Sequence, residues 1–405
     1  MRLDLLKLHS KKDSPKGWIW VRFDSKLLKR HYLRLLRNKS LKEITLELCK
    51  KLNAGFSTIS KHLIRLKHAE KGFEFPLPLL IVLIDYIHPK MKAKVANSFE
   101  EFISKTSYTK QRTKAVFVLT EDLAELIGAH MADGHMRMES NSYKINVCDG
   151  RRELVESCAK LVENIFGIKS IIRFSSRDNT WSCWFNNKII GRYFENIFKI
   201  KPGKKFDIAK EPELIKNSNF KIRKAFAKGV ISFDGGVKTS GMVAISSMSK
   251  DLIEDIYNIL KEDGIEVNKR YNKKKKSWLI ESISGRNENY LSKLLYYFEK
   301  DTWKYNRLKF FINPRKLTID ELNYLFPEHH LSKVSLNEVY CTIKKLKKTN
   351  VSGIISELKR KDINVNRVTL FKYFYLLEKS SLIEKQTIKI DNGINYWNEN
   401  LYGVK

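Results

Sequence analysis

Two aspartates, Asp133 and Asp234, have the sequence setting that most favours chemistry. Each is the eighth residue of a mostly apolar run, LIGAHMADG at 126–134 and AKGVISFDG at 227–235. An acid at the carboxyl end of a helix lies beside the negative pole of the helix dipole, at a cost of roughly 0.3–1 kcal/mol. Two such acids side by side are tolerated when a divalent cation lies between them, the arrangement that metal-assisted phosphodiester hydrolysis requires. The alternative is two ordinary helix-end acids in surface ion pairs.

Glycines at matched positions predict that the two helices approach closely. Gly128 and Gly229 are third in their runs, and a glycine inside a helix costs roughly 1 kcal/mol against alanine. Helix axes nearer than the usual ~8–10 Å would explain why both positions lack a side chain. Gly134 and Gly235 close the runs, as a glycine does at a helix C-cap. We therefore assign all four glycines to a helix–helix interface.

The two runs resemble the paired motifs of the LAGLIDADG homing endonucleases, in the form with both halves on one chain. The match lies at the third, eighth and ninth positions of each run. The resemblance implies an α+β fold built as a pseudo-twofold pair of αββαββα half-domains, with strands forming a DNA-binding saddle. It also implies cleavage of double-stranded DNA with Mg²⁺ or Mn²⁺, in which Asp133 and Asp234 hold the metal.

One catalytic feature of the family is missing. Many members carry a lysine at the end of the strand after each motif, where it polarises the solvent around the metals. The corresponding places here read Cys148-Asp149 and Ser247-Met248. Lys238, four residues past Asp234, is the candidate replacement in the second half. Slow cleavage, cleavage mainly of one strand and loss of cleavage all remain open.

The charge of the chain predicts a polyanionic partner. Its 77 Lys and Arg residues against 45 Asp and Glu residues give a formal net charge of +32, which opposes a compact state unless a polyanion binds. Nucleic acid is the first candidate and a membrane surface the second. Neither a run of about 18 apolar residues nor a signal peptide is present, so no membrane partner is expected. We expect a monomer in the cytoplasm, at the nucleoid, that binds double-stranded DNA, with RNA as the alternative.

Cysteine and histidine give no separate metal site. Five cysteines are scattered, odd in number and without a C-x-x-C pair, which argues against a disulfide framework and against structural zinc. His130 and His135 flank Asp133. They are either ligands of the same site or histidines that pack in the core or face DNA.

The sequence divides into an N-terminal extension (1–38), a helix-turn-helix region (39–90), a linker (91–118), a first half-domain (119–200), a connector (201–218), a second half-domain (219–312), a linker (313–334) and a winged-helix region (335–405).

The two half-domains are internal repeats of each other. After each run we predict a strand (142–149, 241–247), a helix (151–166, 250–262), two strands and a further helix. Aligned without a gap, the halves match at four positions: Gly167 with Gly264, Arg173 with Arg270, Phe174 with Tyr271, and Trp181 with Trp278. Strands that alternate basic and apolar residues suit a sheet with one face on a core and one on phosphate. The residues of these strands and their hairpin loops that we expect to contact nucleic acid are Arg173, Arg177, Lys269, Arg270, Lys273, Lys274, Lys275 and Lys276.

The flanking regions carry patterns of DNA-reading helices. Residues 40–52, 58–68 and 76–87 read as three helices with a turn at 54–57, a helix-turn-helix pattern. Its groove-facing residues would be Ser57, Thr58, Ser60, Lys61 and Arg65. At the other end, three helices and a hairpin turned at Asp391-Asn392-Gly393 resemble a winged helix. Its third helix would place near DNA Asn366, Arg367, Thr369 and Lys372. The alternatives are a helical cap with a solvated basic face and a winged helix that binds protein.

Two functions follow from these patterns. The first is a site-specific DNA endonuclease, intron-encoded or free-standing, since the chain lacks the Cys or Ser start and His-Asn end of an intein. Its catalytic residues would be Asp133, Asp234 and Lys238. The second is a DNA-binding regulator, or an RNA-splicing maturase, that keeps the saddle without the catalysis.

Overall fold

The computed structural model describes residues 1–10, 13–105, 110–139, 142–205, 207–282, 288–327, 334–391 and 396–405. They form a mixed α+β structure with antiparallel sheets. The chain divides into two compact units, one made of residues 1–234 and 247–259, the other of residues 235–246 and 260–405. Over the described ranges, no helix is both long and apolar enough to cross a bilayer.

The described residues between 20 and 114 include five α-helices and a four-stranded sheet. In chain order the elements are β1 (Trp20–Phe23), α1 (Lys26–Asn38), α2 (Leu41–Leu52), α3 (Phe56–Lys67), β2 (Phe73–Pro76), α4 (Leu77–Ile87), α5 (Lys92–Ala96), β3 (Phe99–Lys105) and β4 (Lys110–Lys114). The strands pair in the order β2-β1-β3-β4.

This sheet corrects the expected linker at 91–118, which holds β3 and β4. The sequence did not reveal them because FEEFISK and KQRTK are rich in the charged residues that strands usually lack. Hydrogen bonds join β1 to β2 and to β3, across the expected boundaries at 38/39 and 90/91. The expected extension, helical region and linker therefore share one sheet.

Helices α2, α3 and α4 lie close to where the sequence predicts them. The Ser40 hydroxyl accepts a hydrogen bond from the Glu43 backbone N–H while the Glu43 carboxylate accepts from the Ser40 backbone N–H, a capping box that starts α2. The left-handed residue of the following turn is Asn53, with φ 47°, whereas Gly55 has φ −65°. Asparagine tolerates this conformation because its short polar side chain bonds locally. The turn therefore comes earlier than expected, and α3 already begins at Phe56.

Buried ions tie the N-terminal segment to the rest of its unit. The Asp13 side chain is 3% exposed, and its Oδ1 accepts hydrogen bonds from Lys188 Nζ and Arg192 Nη2, both at 3.0 Å. Lys188 also donates to the Gly17 carbonyl at 2.6 Å. Burial lowers the pKa of Lys188, while the Asp13 charge opposes this. The N-terminal segment is thus held by buried ion pairs and a hydrogen bond to residues 188 and 192, which form only when the chain is folded.

The first motif begins the second group of elements. They are α6 (Glu121–Asp133), β5 (Gly134–Glu139), β6 (Ser142–Asp149), α7 (Arg152–Phe166), β7 (Ile171–Ser175), β8 (Thr180–Trp184), α8 (Lys188–Arg192), which continues as a π-helical turn at Tyr193–Ile197, α9 (Glu213–Lys216) and α10 (Phe220–Asp234).

The second motif begins the third group. It comprises β9 (Gly235–Val237), β10 (Val243–Ser247), α11 (Lys250–Glu262), β11 (Val267–Asn272), β12 (Ser277–Ser282), α12 (Glu288–Leu295), α13 (Trp303–Ile312) and α14 (Ile319–Leu325). The order αββαββα therefore occurs twice, over α6–α8 and α10–α12. The strand orders β5-β6-β8-β7 and β9-β10-β12-β11 are also the same.

The repeat extends to individual backbone and ring positions. Gly167 and Gly264 both follow a helix with a left-handed backbone, φ 68° and 70°, and Asn179 and Lys276 both have φ 49° in the hairpin turn. The aligned aromatic residues form the same cross-strand pair in each half, with ring centroids 5.0 Å apart for Phe174–Trp181 and 5.1 Å for Tyr271–Trp278. The alignment made from sequence is thus confirmed by conformation.

The strands β5 and β9 were missed by sequence reasoning. Each begins at the glycine directly after a motif helix, so no loop or turn residue separates helix from strand. β9 is only Gly235–Val237, and glycine is depleted in strands. Without β5 and β9 the two motif helices could not lead straight into their sheets.

The C-terminal group has three helices and three strands among the described residues. They are α15 (Leu336–Leu346), β13 (Lys348–Thr349), α16 (Val351–Lys359), α17 (Arg367–Lys379), β14 (Ile383–Asp391) and β15 (Tyr396–Val404), with strand order β13-β15-β14. The predicted turn at Asp391-Asn392-Gly393 falls on residues 392–395, which lie outside the described residues. Helix α14, started by a Thr318/Glu321 capping box, lies within the linker expected at 313–334.

Glu211 is a buried carboxylate in the segment that leads into α10. It is 1% exposed, and Arg223 Nε donates to it at 3.3 Å. The Asp255 carboxylate beside it accepts hydrogen bonds from the Glu211 backbone N–H at 2.9 Å and from Lys216 at 3.0 Å. Desolvation raises the pKa of Glu211 to about 7, while the Arg223 charge opposes this.

The protein is expected to lose stability as pH rises through about 7, and Glu211→Gln is expected to lose less. A folded-state pKa above the ordinary value of 4.5 means that the folded chain holds a proton which the unfolded chain releases. This contribution is complete below pH 4.5 and disappears above pH 7. Thermal unfolding between about pH 5 and 8 measures it. The exposed Glu213→Gln serves as control, and equal pH dependence in both variants would contradict the assignment.

Candidate active site

Helices α6 and α10 make the close approach that their glycines predict. A Cβ built on Gly128 would lie 2.1 Å from the Phe226 carbonyl oxygen, and one built on Gly229 would lie 2.1 Å from the Glu125 carbonyl oxygen. Real side chains do not fit at such distances, so each glycine accommodates the backbone of the other helix. An ion pair of Lys228 with Glu125 at 2.8 Å links the same two helices.

The two acids lie at the ends of these packed helices, and Lys205 lies beside both. α6 ends at Asp133 and α10 at Asp234. The Lys205 ammonium donates to the carbonyl oxygens of Met131 at 2.7 Å and Ala132 at 2.9 Å, in the last turn of α6. Desolvation lowers the pKa of Lys205 to about 8, while the negative charges of Asp234 and Asp133 act against it. Both carboxylates are therefore within electrostatic reach of one ammonium.

Lys205 is the site residue that sequence reasoning missed. It lies in the expected connector, within KPGKKF, where several basic residues are alike. Nothing in the sequence distinguishes the one lysine that turns back to the end of α6. A cation at a helix C-terminus is favourable by roughly 0.3–1 kcal/mol or more when partly buried, which explains why this pole attracts an ammonium.

The two histidines near Asp133 have different settings. His130 is 1% exposed and its ring packs 4.9 Å from that of Phe194. Desolvation holds the pKa of His130 well below its usual value, so it is a neutral packed residue. His135 is exposed on β5. Of the alternatives drawn from sequence, packing therefore describes His130.

Gly134 and Gly235, the glycines that close the two runs, lie in different structural settings. Gly134 caps α6, but with φ −85° it is extended and not left-handed. A Cβ there would lie 2.3 Å from His130 Nδ1, in its own helix. The same Cβ would lie 2.5 Å from the His130 carbonyl oxygen. Gly134 thus accommodates the ring and backbone of His130 in its own helix, which corrects its assignment to the helix–helix interface. Gly235 is buried and starts β9 opposite Ile245.

The acid pair has the chemistry to hold a divalent cation together with a nucleic-acid phosphate. Mg²⁺ is commonly bound by one or two carboxylates, with phosphate oxygens and water completing its shell. Asp133 and Asp234 supply two such groups, and the Lys205 ammonium marks a position that attracts a cation. No cluster of three or more His, Cys, Asp or Glu side chains suited to a metal ion occurs in the described part of the chain. Two carboxylates fit a cation whose remaining ligands are water or phosphate oxygens.

The first sheet has a core face and a polar face. Tyr143, Ile145 and Val147 of β6 are buried, so the residues between them point to the opposite face. On that face Cys148 is directly opposite Ser182, which is opposite Arg173. Burial raises the pKa of Cys148, and the Asp133 charge adds to this. The predicted residue Arg173 thus lies on the same sheet face as Cys148, whose thiol feels the Asp133 charge. Arg177 is exposed in the following turn.

The second sheet separates two residues that the sequence analysis grouped. Arg270 shares a face with Glu281, whose carboxylate lies 2.8 Å from its guanidinium. Lys269 is opposite Ile280, which is 1% exposed, on the other face. Adjacent residues of a strand point to opposite sides, so Lys269 and Arg270 cannot act on one surface. Lysines 273–276 form the exposed hairpin turn, as predicted.

Lys238, the candidate catalytic lysine, is engaged in an ion pair. It is exposed in the turn after β9 and contacts Glu281, whose side chain is 13% exposed. Because Glu281 also binds Arg270, one carboxylate pairs with two cations of the polar face and offsets one of their two charges.

Replacing Glu281 by glutamine is expected to strengthen duplex binding. It would release Lys238 and Arg270 for phosphate contacts, each of which changes the slope of log K against log salt by about 0.9. Fluorescence anisotropy over a salt series measures this slope. Glu163→Gln, exposed on α7, makes the same charge change away from the pair. Equal slopes in the two variants would contradict the expectation.

The reading helices present their predicted residues to different extents. On α3, Ser57, Lys61 and Arg65 are exposed at helical spacing, whereas Thr58 and Ser60 are half-buried. At the start of α17, the Asn366 side chain accepts a hydrogen bond from the Val368 backbone N–H at 2.7 Å and so caps the helix. Arg367 and Lys372 are exposed and Thr369 is half-buried. Whether these residues contact nucleic acid stays a prediction.

No protein-family model matches the chain. Over 159 residues it is 31% identical to the replication factor C small subunit of Methanocaldococcus jannaschii, a similarity that covers 38% of this chain. The chain spans 8% of the length of that curated relative.

Several solved structures show a slight similarity. The homing endonuclease I-DmoI in complex with DNA and Ca has a TM-score of 0.35 and 18% identity, covering 44% of this chain and 90% of that one. The homing endonuclease I-WcaI bound to its DNA recognition sequence has a TM-score of 0.34 and 14% identity, covering 46% of this chain and 87% of that one. Full-length DUF199/WhiA from Thermatoga maritima has a TM-score of 0.31 and 10% identity, covering 65% of this chain and 92% of that one.

Proposed function

We propose that the chain is a site-specific double-strand DNA endonuclease of the homing type, in which Asp133 and Asp234 hold Mg²⁺ or Mn²⁺. One observation carries the proposal: two helices packed through Gly128 and Gly229 both end in an acid, and the Lys205 ammonium donates to the last carbonyl oxygens of the first helix. Paired acids at the negative poles of two helices are costly for structure alone. A site that binds a cation and a phosphate explains why both acids are present.

The residues of this chain would divide the work as follows. Asp133 and Asp234 bind the cation, which when present stabilises charge on the scissile phosphate and activates a water. Lys205 balances the two carboxylates when no cation is bound. Arg173 and Arg270, on the polar faces of their sheets, and the lysine turn at 273–276 hold the duplex by its phosphates.

The order αββαββα in both halves supports a pseudo-twofold homing endonuclease fold. Three helices at 41–87, and three helices with a β-hairpin at 336–404, support a helix-turn-helix and a winged-helix region on either side of it. A formal charge of +32 supports a polyanionic partner. We propose an intracellular, monomeric protein that binds DNA at the nucleoid.

A second function is favoured by the state of Lys238. Its ion pair with Glu281 leaves the strand ends after both motifs without a lysine free for solvent chemistry. A DNA-binding regulator, or an RNA-splicing maturase, would keep the basic sheets and need no such lysine.

Incubation of the purified full chain with Mg²⁺ and DNA from its own genomic neighbourhood separates the two functions. The endonuclease gives discrete double-strand products that EDTA abolishes. Binding without any product, in Mg²⁺ and in Mn²⁺, would leave the regulator or maturase. A structured intron RNA bound more tightly than the duplex would select the maturase.

A further inference from the structure

The unit formed by residues 235–246 and 260–405 contains a cavity of about 730 Å³ that the proposed cleavage does not use. Helix α17, the turn after β9 and helix α13 supply its lining. Its volume lies within the roughly 300–1,000 Å³ of small-ligand sites. We call it the α17 cleft.

Helix α17 presents an unused apolar stripe to this cleft. Val368, Phe371 and Tyr375 lie at helical spacing and line it together with Lys372. Val368 is 60% exposed and Phe371 is 50% exposed. The opposite face of α17, with Leu370, Phe374, Leu376 and Leu377, is buried in its own unit. The helix therefore has a second apolar side, on which packing within this unit leaves Val368 and Phe371 exposed while Tyr375 stacks on Phe311.

Cations and hydroxyl groups surround the apolar stripe. Lys238, Arg307 and Lys372 line the cleft, as do Thr239 and Ser240, and no acidic residue is among the described lining residues. The guanidinium carbon of Arg307 lies 4.3 Å from the ring centroid of Phe326 and 5.7 Å from that of Trp303. Such cation–π contacts hold Arg307 in place before any ligand binds. The cleft thus combines positive charge with an exposed aromatic ring.

We propose that the α17 cleft binds unpaired nucleotides of a single nucleic-acid strand. The cations and hydroxyls suit phosphate, and the Phe371 ring suits the face of a base. A base pair inside a duplex offers only its edges in the grooves, so the exposed ring favours an unstacked base. The cationic lining, in which Lys238 is also paired with Glu281, favours a polyanion over a protein partner. The inference goes beyond double-strand cleavage and does not depend on it.

The test is binding of a fluorescent oligothymidylate of about 12 nucleotides to the full chain. We expect Phe371→Ala to weaken this binding roughly tenfold or more, since stacking of one base on an aromatic ring is of that order. Lys372→Gln should reduce the slope of log K against log salt by about 0.7, the value for one phosphate of a single strand. An oligouridylate of the same length shows whether the strand is preferred as DNA or RNA. Duplex binding should stay unchanged in Phe371→Ala.

The control is Tyr324→Ala, because Tyr324 is an aromatic residue of the same unit that is 51% exposed and does not line the cleft. Circular dichroism checks that each variant folds, and the exposed Lys372→Gln tests the cleft without changing its apolar stripe. The proposal is wrong if Phe371→Ala binds the single strand as tightly as Tyr324→Ala does. So would equal losses on single strand and duplex. If the wild-type chain binds duplex but no single strand, the proposal is wrong and the cleft is a site for a protein partner.

Discussion

Replacing Asp133 or Asp234 by asparagine is expected to reduce DNA cleavage by roughly 10³-fold or more. Loss of a carboxylate that binds the catalytic cation removes several kcal/mol of charge stabilisation, and each 1.36 kcal/mol is a factor of ten in rate. Duplex binding should not weaken, since the substitution removes a negative charge from a surface that meets phosphate. Single-turnover cleavage of a bound duplex in Mg²⁺ measures the rate apart from binding.

The matched control is Asp122→Asn. Asp122 is exposed in the first turn of α6, the same helix that ends at Asp133. It makes the same chemical change at the opposite helix end and should cleave at the wild-type rate. Cleavage by Asp133→Asn at the rate of Asp122→Asn would show that the first acid has no catalytic part.

The second large effect is expected from Gly128→Ala and from Gly229→Ala. The added Cβ would meet a backbone carbonyl oxygen at 2.1 Å, and a backbone atom cannot move aside as a side chain can. Overpacking costs typically 1–3 kcal/mol and occasionally more. We expect about 3 kcal/mol, against the roughly 1 kcal/mol that alanine gains over glycine in an unconstrained helix. Urea unfolding followed by circular dichroism measures the difference.

Gly150→Ala is the control for this pair. A Cβ at Gly150 would meet no atom within 4 Å, so the substitution should change stability little. Unfolding of Gly128→Ala at the same urea concentration as Gly150→Ala would contradict the close contact of α6 and α10. A double variant of Gly128 and Gly229 should lose less than the sum of the two, because both substitutions push the same helices apart.

The paired motifs and the repeat could be predicted because they leave local signals. Gly128 and Gly229 break an apolar helical pattern, and a gapless alignment matches Trp181 with Trp278. Such signals depend on spacing and residue type alone. For that reason the order of helices and strands in the two halves was largely accessible from sequence.

Other features could not be predicted because they depend on contacts distant in the chain. Lys205 is one of several lysines in a connector, and only tertiary structure brings it to the end of α6. Strands β3 and β4 are rich in charged residues and are strands because β1 pairs with β3 and β3 pairs with β4. Lys238 was predicted to be available for chemistry, but a residue 43 positions away binds it. Pattern and propensity do not contain this information.

The most direct test of the central claim is Mn²⁺ binding to the protein–duplex complex, measured by electron paramagnetic resonance. The claim is that Asp133 and Asp234 belong to one cation site. It predicts that Asp133→Asn and Asp234→Asn each weaken Mn²⁺ binding at least about tenfold, whereas Asp122→Asn does not. Mn²⁺ binding at wild-type affinity in either of the first two variants would contradict it.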